Sequence, residues 1–281
     1  MNNLIIILIL AIISCTFAFS QNLPSKINNF RKLKPLKFSN DDLITSLTIN
    51  TAIATTAHFK GQKSLTNYGL VNAWVLGNVL LTLGGLKAWS ICVLYYVIGT
   101  YVTKVKMDEK ERAGIAEKRK GMRGPENVWG SAATAAICCL LMGHGFNDNL
   151  LKLAYVSSLA TKASDTTASE IGKAYGKNCY LLTNFEKVPP GTEGAVSIEG
   201  TIAGIIGSIL IGFYGVEIGW VEDWNQFLAV ILSSFVATTI ESLLGATIQN
   251  DKMFTNEFLN FINTLVGSIV SVLLTKMGGK P

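Results

Sequence analysis

The sequence predicts an all-α fold, a polytopic membrane helix bundle of about six to eight helices with two longer polar loops. Three observations predict it. Apolar residues make up 49% of the 281-residue chain and charged residues only 15%, where soluble domains carry about 25% charge. Uncharged runs at 70–86, 88–103, 128–143, 200–215, 227–240 and 258–275 approach the roughly 17 to 25 residues that cross about 30 Å of hydrocarbon as helix. The remaining polar residues gather in short stretches between or at the ends of these runs.

Taken in order, the chain opens with an apolar core at 4–14, "LIIILILAIIS", followed by "CTFAFS". Thr16 and Ala18 stand where a signal peptidase reads, so residues 1–18 are expected to be a signal peptide cut after Ala18. Residues 19–40 contain serine, carry Lys26, Arg31, Lys32, Lys34 and Lys37, and lack acids, which is the composition of a transit peptide. A signal peptide joined to such a segment, with Phe19 directly after the cut, resembles the bipartite plastid presequence of algae with secondary plastids. An uncleaved first transmembrane helix followed by a basic stretch is the alternative. Residues 41–281 are then one polytopic membrane domain, whose first run, 43–57, is short and threonine-rich.

The first polar loop, 104–127, holds eight lysines and arginines against five acids. Such a loop between spans keeps to the side on which the chain is made. Without an aromatic platform or soluble domain it is a poor nucleic-acid site, and none is expected as a partner. Within it Lys118, Arg119 and Arg123 surround Gly121, and arginine forks match phosphate oxygens.

The segment 150–172 is a weaker run rich in serine and threonine. Lys162, Asp165 and Ser169 recur on one helical stripe, and Thr166 and Glu170 form an adjacent i, i+4 pair. A carboxylate at the membrane edge costs several kcal/mol unless paired, so this face is a candidate for a metal ion or charged ligand. A helix end surfacing into water is the alternative. In the second polar loop, 164–195, two prolines and several glycines forbid one continuous helix. Gly191, Gly194 and Gly200 permit close backbone approach, while Thr192, Ser197 and Thr201 supply hydroxyls near a helix start, where an anion is favoured. A capped helix start explains the same residues.

Further on, Glu241, Gly245 and Gln249 share a helix face, and Asn256, Asn260, Asn263 and Thr264 recur at helical spacing. Amides at this density belong inside the bundle, as a site or as interhelical hydrogen bonds worth about 0.6 kcal/mol each. The five cysteines, Cys15, Cys92, Cys138, Cys139 and Cys179, contain no C-x-x-C pair, and His58 and His144 are the only histidines. A disulfide scaffold and a histidine metal centre are therefore not expected. No G-x-x-x-x-G-K-[ST] loop or G-x-S-x-G elbow is present, so any phosphoryl transfer must use membrane-edge carboxylates, a metal and basic residues.

Read together, "EKRKGMRGPENV", "ASDTTASEIG", "PPGTEGAVSIEGTIAG", "ESLLGATIQ" and "TNEFLNFINTLVGS" resemble, in order and spacing, the transmembrane-protein-19-like family of multi-pass membrane proteins. Its plant and cyanobacterial branch includes a chloroplast phytyl-phosphate kinase of tocopherol synthesis. The family's middle motif falls on Asp165, Thr166, Ser169, Glu170 and Gly172, and its glycine-turn motif on Pro190, Gly191, Thr192, Gly194, Ser197, Gly200 and Thr201. Glu193 and Glu199 resemble the plant branch. Trp129 and Gly130 depart from the small polar pair expected after Asn127.

The resemblance implies transfer of a phosphoryl group from CTP or another nucleoside triphosphate to phytyl phosphate or a related prenyl phosphate. It also implies Mg²⁺ on Asp165, Glu170 and Glu241, and phosphates gripped by Lys118, Arg119 and Arg123 and by the turn from Gly191 to Thr201. Asn127, Glu199, Gln249, Asn256 and Asn260 would be supporting polar residues, and a phytol kinase a functional neighbour in a plastid membrane. A transporter with an intramembrane polar pathway and a nucleotidyl transferase forming a CDP-lipid are the rival readings.

Overall fold

A computed structural model of the chain describes residues 35–248 and 255–278. Residues 1–34 of the presequence expected at 1–40, and Gln249, lie outside the described residues. Every element below belongs to one compact unit that begins at Phe38.

Helix α1 (Asn40–Phe59) starts at a capping box: the Ser39 hydroxyl accepts from the Asp42 amide, and the Asp42 carboxylate accepts from the Ser39 amide. Helix α2 (Asn67–Lys104) begins at Thr66, whose hydroxyl accepts from the Gly69 amide at 2.9 Å. A straight helix of this length would run about 57 Å, yet Ser64 before it and Tyr96 near its far end are hydrogen-bonded at 2.5 Å. The chain therefore reverses inside α2. The reversal is at Gly85, with φ 70° and ψ −173°, a region that only glycine occupies readily. Residues 67–84 and 86–104 become two antiparallel arms, each about 27 Å long and close to the hydrocarbon thickness. The apolar runs 70–86 and 88–103, read as separated at Lys87, correspond to these arms, with the turn two residues earlier at Gly85.

The basic loop then forms a short helix α3 (Met107–Arg112) and a 3₁₀ turn at Lys118–Gly121. Helix α4 (Pro125–Gly143) has proline at its first position and uses the Asn127 side chain to accept from the Gly124 amide. Helix α5 (Asp148–Tyr175) is capped by Asn147. A three-stranded antiparallel sheet follows, β1 (Cys179–Leu181), β2 (Lys187–Val188) and β3 (Ala195–Ser197), in the order β2-β1-β3. Helices α6 (Ile198–Glu217), α7 (Trp224–Ile248) and α8 (Asn256–Gly278) complete the fold. Among the described residues four helices, α2, α6, α7 and α8, are long and apolar enough to cross a membrane.

Helix α5 is the axis of the bundle. It packs against α2, α4, α6, α7 and α8, and its run from Leu153 to Ser164 is buried on every side. That burial explains why its serines and threonines are tolerated: neighbouring helices, not lipid, surround them. Ser268 of α8 donates to the Ala154 carbonyl, and Thr167 donates to the Ala203 carbonyl of α6, which satisfies polar groups inside the bundle as burial requires. Helix α6 meets α5 through small residues. A Cβ on Gly200 would stand 2.6 Å from the Ala168 carbonyl oxygen, and one on Gly207 would stand 2.5 Å from the Thr167 hydroxyl, so the two backbones approach closely as in small-residue membrane packing. The opposite face of α6, with Ile202, Ile206, Leu210 and Phe213, is exposed.

Both polar loops reach the same end of the bundle. Leu65 pairs with Arg123 across the start of α2, Lys106 lies over the Tyr175 ring at the end of α5, and Ile115 packs on Gly191 of the glycine turn. That turn rests in its own right on the end of α7, where Gly194 faces the Ser242 carbonyl and the Ala246 amide.

Candidate active site

Inside this polar end, one buried cation organises the residues. Lys162, 6% exposed at the centre of α5, donates to Asp165 one turn on at 2.5 Å and to the Asn260 side-chain oxygen of α8 at 2.6 Å. Glu241, from α7, lies within hydrogen-bonding reach of Asp165 and feels the charges of Lys162 and Glu193. It accepts in turn from the Asn263 amide of α8. Three helices thus converge one lysine, two carboxylates and two amides; by the rise per residue Glu241 and Asn263 lie about 10 Å, and Lys162 about 20 Å, inside the ends of their helices. Glu193 reaches toward them because Gly245 lets the glycine turn settle on α7: a Cβ there would contact Gly194 and the Glu193 side chain.

Arg123 borders the same cluster. Its guanidinium lies over the Tyr95 and Tyr96 rings at 5.5 and 5.8 Å and donates to the Tyr95 hydroxyl at 3.5 Å. Gly99 makes the space for it, since a Cβ there would stand 2.4 Å from a guanidinium nitrogen. Tyr95 also donates to Ser131 at 3.1 Å.

Glu170 is elsewhere. Five residues on a helix turn through about 140°, so it leaves the face of Asp165. It is 1% exposed and meets Lys110 of α3 at 2.5 Å and Lys173 at 3.2 Å. Lys110 also donates to the Thr103 carbonyl at 2.8 Å, and Glu117 pairs with Lys173 at 3.6 Å. These contacts fasten the basic loop to the end of α5. Burial disfavours the Lys173 charge, but Glu170 and Glu117 outweigh it and hold its pKa above the ordinary lysine value.

The other residues singled out in the sequence are distributed around this core. Lys118 is exposed, while Arg119 pairs with Glu126 and donates to Asn127 at 3.0 Å. The Thr192 hydroxyl donates to the Pro189 carbonyl at 2.8 Å. Ser197 is the N-cap of α6, accepting from the Gly200 amide at 3.1 Å. Glu199 and Thr201 are half-buried in the first turn of α6, Thr166 is half-buried, and Ser169 is exposed with its hydroxyl on the Thr166 carbonyl. Asn256 is exposed at the start of α8. The two departures from the expected motif have structural reasons: Trp129 donates to Asn72 at 2.9 Å, and Gly130 lets the backbone of Glu257 approach to within 2.9 Å of where a Cβ would be.

Acidic groups outnumber cations in the cluster, with Asp165 and Glu241 against Lys162 and with Glu193 nearby. Mg²⁺ is commonly held by one or two carboxylates plus substrate phosphates, and Asp165 and Glu241 fit that requirement. Glu170, held by two lysines, does not adjoin them. Among the described residues no three histidine, cysteine, aspartate or glutamate side chains are grouped as a complete metal set.

Lipid-length helices around a polar axial helix with an enclosed ion pair define an integral membrane protein with a buried polar cluster. The chain belongs to the family of integral membrane proteins described as DUF92, which matches residues 50–268, a stretch containing all five sequence motifs. It is 44% identical over 232 residues to an uncharacterized membrane protein of Synechocystis, covering 82% of this chain and 90% of that one. It is 42% identical over 217 residues to Protein VTE6, chloroplastic, of Arabidopsis thaliana, covering 75% of this chain and 65% of that one. An uncharacterized membrane protein of Methanocaldococcus jannaschii is 31% identical over 215 residues, 76% of this chain and 87% of that one. No solved structure matches the chain.

Proposed function

We propose that the protein is a membrane-bound prenyl-phosphate kinase, transferring the terminal phosphoryl group of CTP or another nucleoside triphosphate to phytyl phosphate or a related prenyl phosphate. The observation that carries this reading is the Lys162, Asp165 and Glu241 cluster, set just inside the end of the bundle that the basic loop covers. The family resemblance of the motifs supports the same chemistry, and the relative described as chloroplastic supports a plastid setting. They also support delivery to a plastid membrane by the presequence at 1–18 and 19–40, and service to tocopherol-type synthesis beside a phytol kinase.

The acceptor is a phosphate monoester that is already an anion, so it needs little help from a general base, and the work lies in positioning and charge neutralisation. An acceptor phosphate oxygen attacks the γ-phosphorus, the bond from that phosphorus to the β–γ bridging oxygen breaks, and CDP leaves with the electron pair. Asp165 and Glu241 would hold Mg²⁺, which when bound neutralises charge on the phosphates. Lys162 keeps the two carboxylates tolerable in the bundle and offers an ammonium to phosphate oxygens. Arg123, braced by Tyr95 and Tyr96, offers a planar fork, and Lys118 and Arg119 stand at the exposed rim where nucleotide arrives.

The purified protein, given phytyl phosphate and CTP labelled either at the α- or the γ-phosphate, tests the reading. Label from the γ position in phytyl diphosphate is the expected result. Label from the α position in the lipid, with release of pyrophosphate, would identify a nucleotidyl transferase instead.

A further inference from the structure

The exposed apolar stripe of α6, with Ile202, Ile206, Leu210 and Phe213 at helical spacing, begins at Ile198, the first residue of the helix. The 20 residues of α6 rise about 30 Å, the thickness of the hydrocarbon core. Ile198 therefore marks the edge of that core, and the sheet that enters α6 through Ser197 stands at the level of the headgroups. The strands continue the stripe, because residues directly opposite one another in a ladder share a face. Cys179 is opposed to Val188 and Ser197, and Cys179 and Ser197 are buried, so this face turns to the bundle. Tyr180, opposed to Lys187 on one side and Val196 on the other, turns outward on the side of Ile198. Tyr180 is 40% exposed and Lys187 is exposed. From α6 outward the surface thus passes from isoleucine through valine and tyrosine to lysine. Hydrocarbon gives way to headgroups in the same order, since aromatic rings collect at the interface and lysines reach from it toward phosphate oxygens. At the tip of the β1–β2 hairpin Phe185 is 74% exposed with φ 56°, a left-handed conformation that a bulky residue rarely adopts. Glu186 beside it accepts from the Asn184 amide at 3.1 Å.

We propose that the three-stranded sheet is a membrane-interface anchor, its outer face of Tyr180, Val196 and Lys187 and its tip at Phe185 lying among the headgroups and upper acyl chains of the leaflet that α6 enters. The occupant of this face is phospholipid, because the face is continuous with the lipid-facing side of α6. The glycine turn joins β2 to β3 and rests on α7, so anchoring the sheet fixes that turn at the height of the headgroups. The anchor is independent of the kinase reading and holds for any activity of the buried cluster.

The test places a nitroxide on the full chain in phosphatidylcholine vesicles, at Tyr180→Cys or at Phe185→Cys, with wild type labelled in parallel to subtract the native cysteines. Power saturation then compares collisions with oxygen, which concentrates in lipid, and with a water-soluble nickel chelate. Ile206→Cys on the lipid-facing stripe of α6 and Lys120→Cys on the exposed basic loop supply the lipid and water references. The oxygen-to-nickel ratio at both sheet positions should exceed that at Lys120→Cys at least threefold and stay below that at Ile206→Cys. A ratio equal to that at Lys120→Cys would place the sheet in water and overturn the proposal, and low access to both agents would show a face covered by protein and overturn it too. Adding Phe185→Asp to Tyr180→Cys should lower the ratio at position 180 at least twofold, and an unchanged ratio there removes Phe185 from the anchor. If labelling at Tyr180→Cys unfolds the protein, Phe185→Cys at the exposed tip decides alone.

Discussion

Lys162 and Asp165 form an ion pair of 2.5 Å in the interior of the bundle, with Asn260 on the same ammonium at 2.6 Å. Removing one member of a buried pair costs about 3–5 kcal/mol because the other charge is left uncompensated, whereas exchanging both for apolar groups is often neutral. Lys162→Met should therefore lower thermal stability and abolish transfer. Lys162→Met with Asp165→Leu should regain stability in a melting experiment and remain inactive. Recovery of activity in the double variant would remove the pair from the site.

Glu170 and Lys110 are predicted to be a clamp for the basic loop. Lys110→Met alone should destabilise the protein by about 3–5 kcal/mol, and a double Lys110→Met and Glu170→Met variant by much less. Limited proteolysis of 104–123 checks this: the single variant should be cut faster than wild type, and the double variant should fall between them because Lys173 loses its nearest carboxylate too.

The same network predicts a pH dependence. Lys173 has its pKa raised in the folded protein, by Glu170 and Glu117 against the opposing effect of burial. Its contribution is fully present below the unfolded value of about 10.4 and is lost as pH rises through the higher folded value. Stability measured between neutral and strongly alkaline pH should therefore fall in that window, and Lys173→Met should flatten the fall.

At Gly85 the demand is conformational. Its φ of 70° with ψ of −173° belongs to glycine, and a Cβ there would meet nothing within 4 Å. Gly85→Ala should cost about 1–3 kcal/mol through backbone strain alone. An equal cost for Gly278→Ala, also without a neighbour within 4 Å but at the last residue of helix α8 and without a positive φ, would refute this explanation.

Much of the architecture could be read from hydropathy, including the pair of runs that proved to be the arms of α2, since the apolar lengths and the charge at Lys87 between them are local signals. Helix α5 looked like a weak span because Ser157, Ser158 and Thr161 lower its apolarity; the structure makes it the axis, where its neighbours shield those hydroxyls. Asp165 could be suspected from its stripe with Lys162 and Ser169, and Glu241 from its apolar helix, and the two adjoin. Lys162 was visible as part of a stripe with Asp165, but its central place depends on Asn260, 98 residues away. Lys110 gave no signal, because its partner Glu170 lies 60 residues on. Grouping Glu170 with Asp165 on a metal overlooked the rotation of an α-helix over five residues.

The most direct measurement compares wild type with Asp165→Asn in vesicles supplied with phytyl phosphate, Mg²⁺ and CTP labelled at the γ-phosphate. The account predicts labelled phytyl diphosphate from the wild type and a loss of at least about 10²-fold in the variant, the scale of removing one preorganised electrostatic group, with membrane insertion retained and a lowered melting temperature because Lys162 loses its paired charge. Near-normal transfer by Asp165→Asn would contradict the assignment of the site, and the absence of labelled diphosphate from the wild type would contradict the kinase itself.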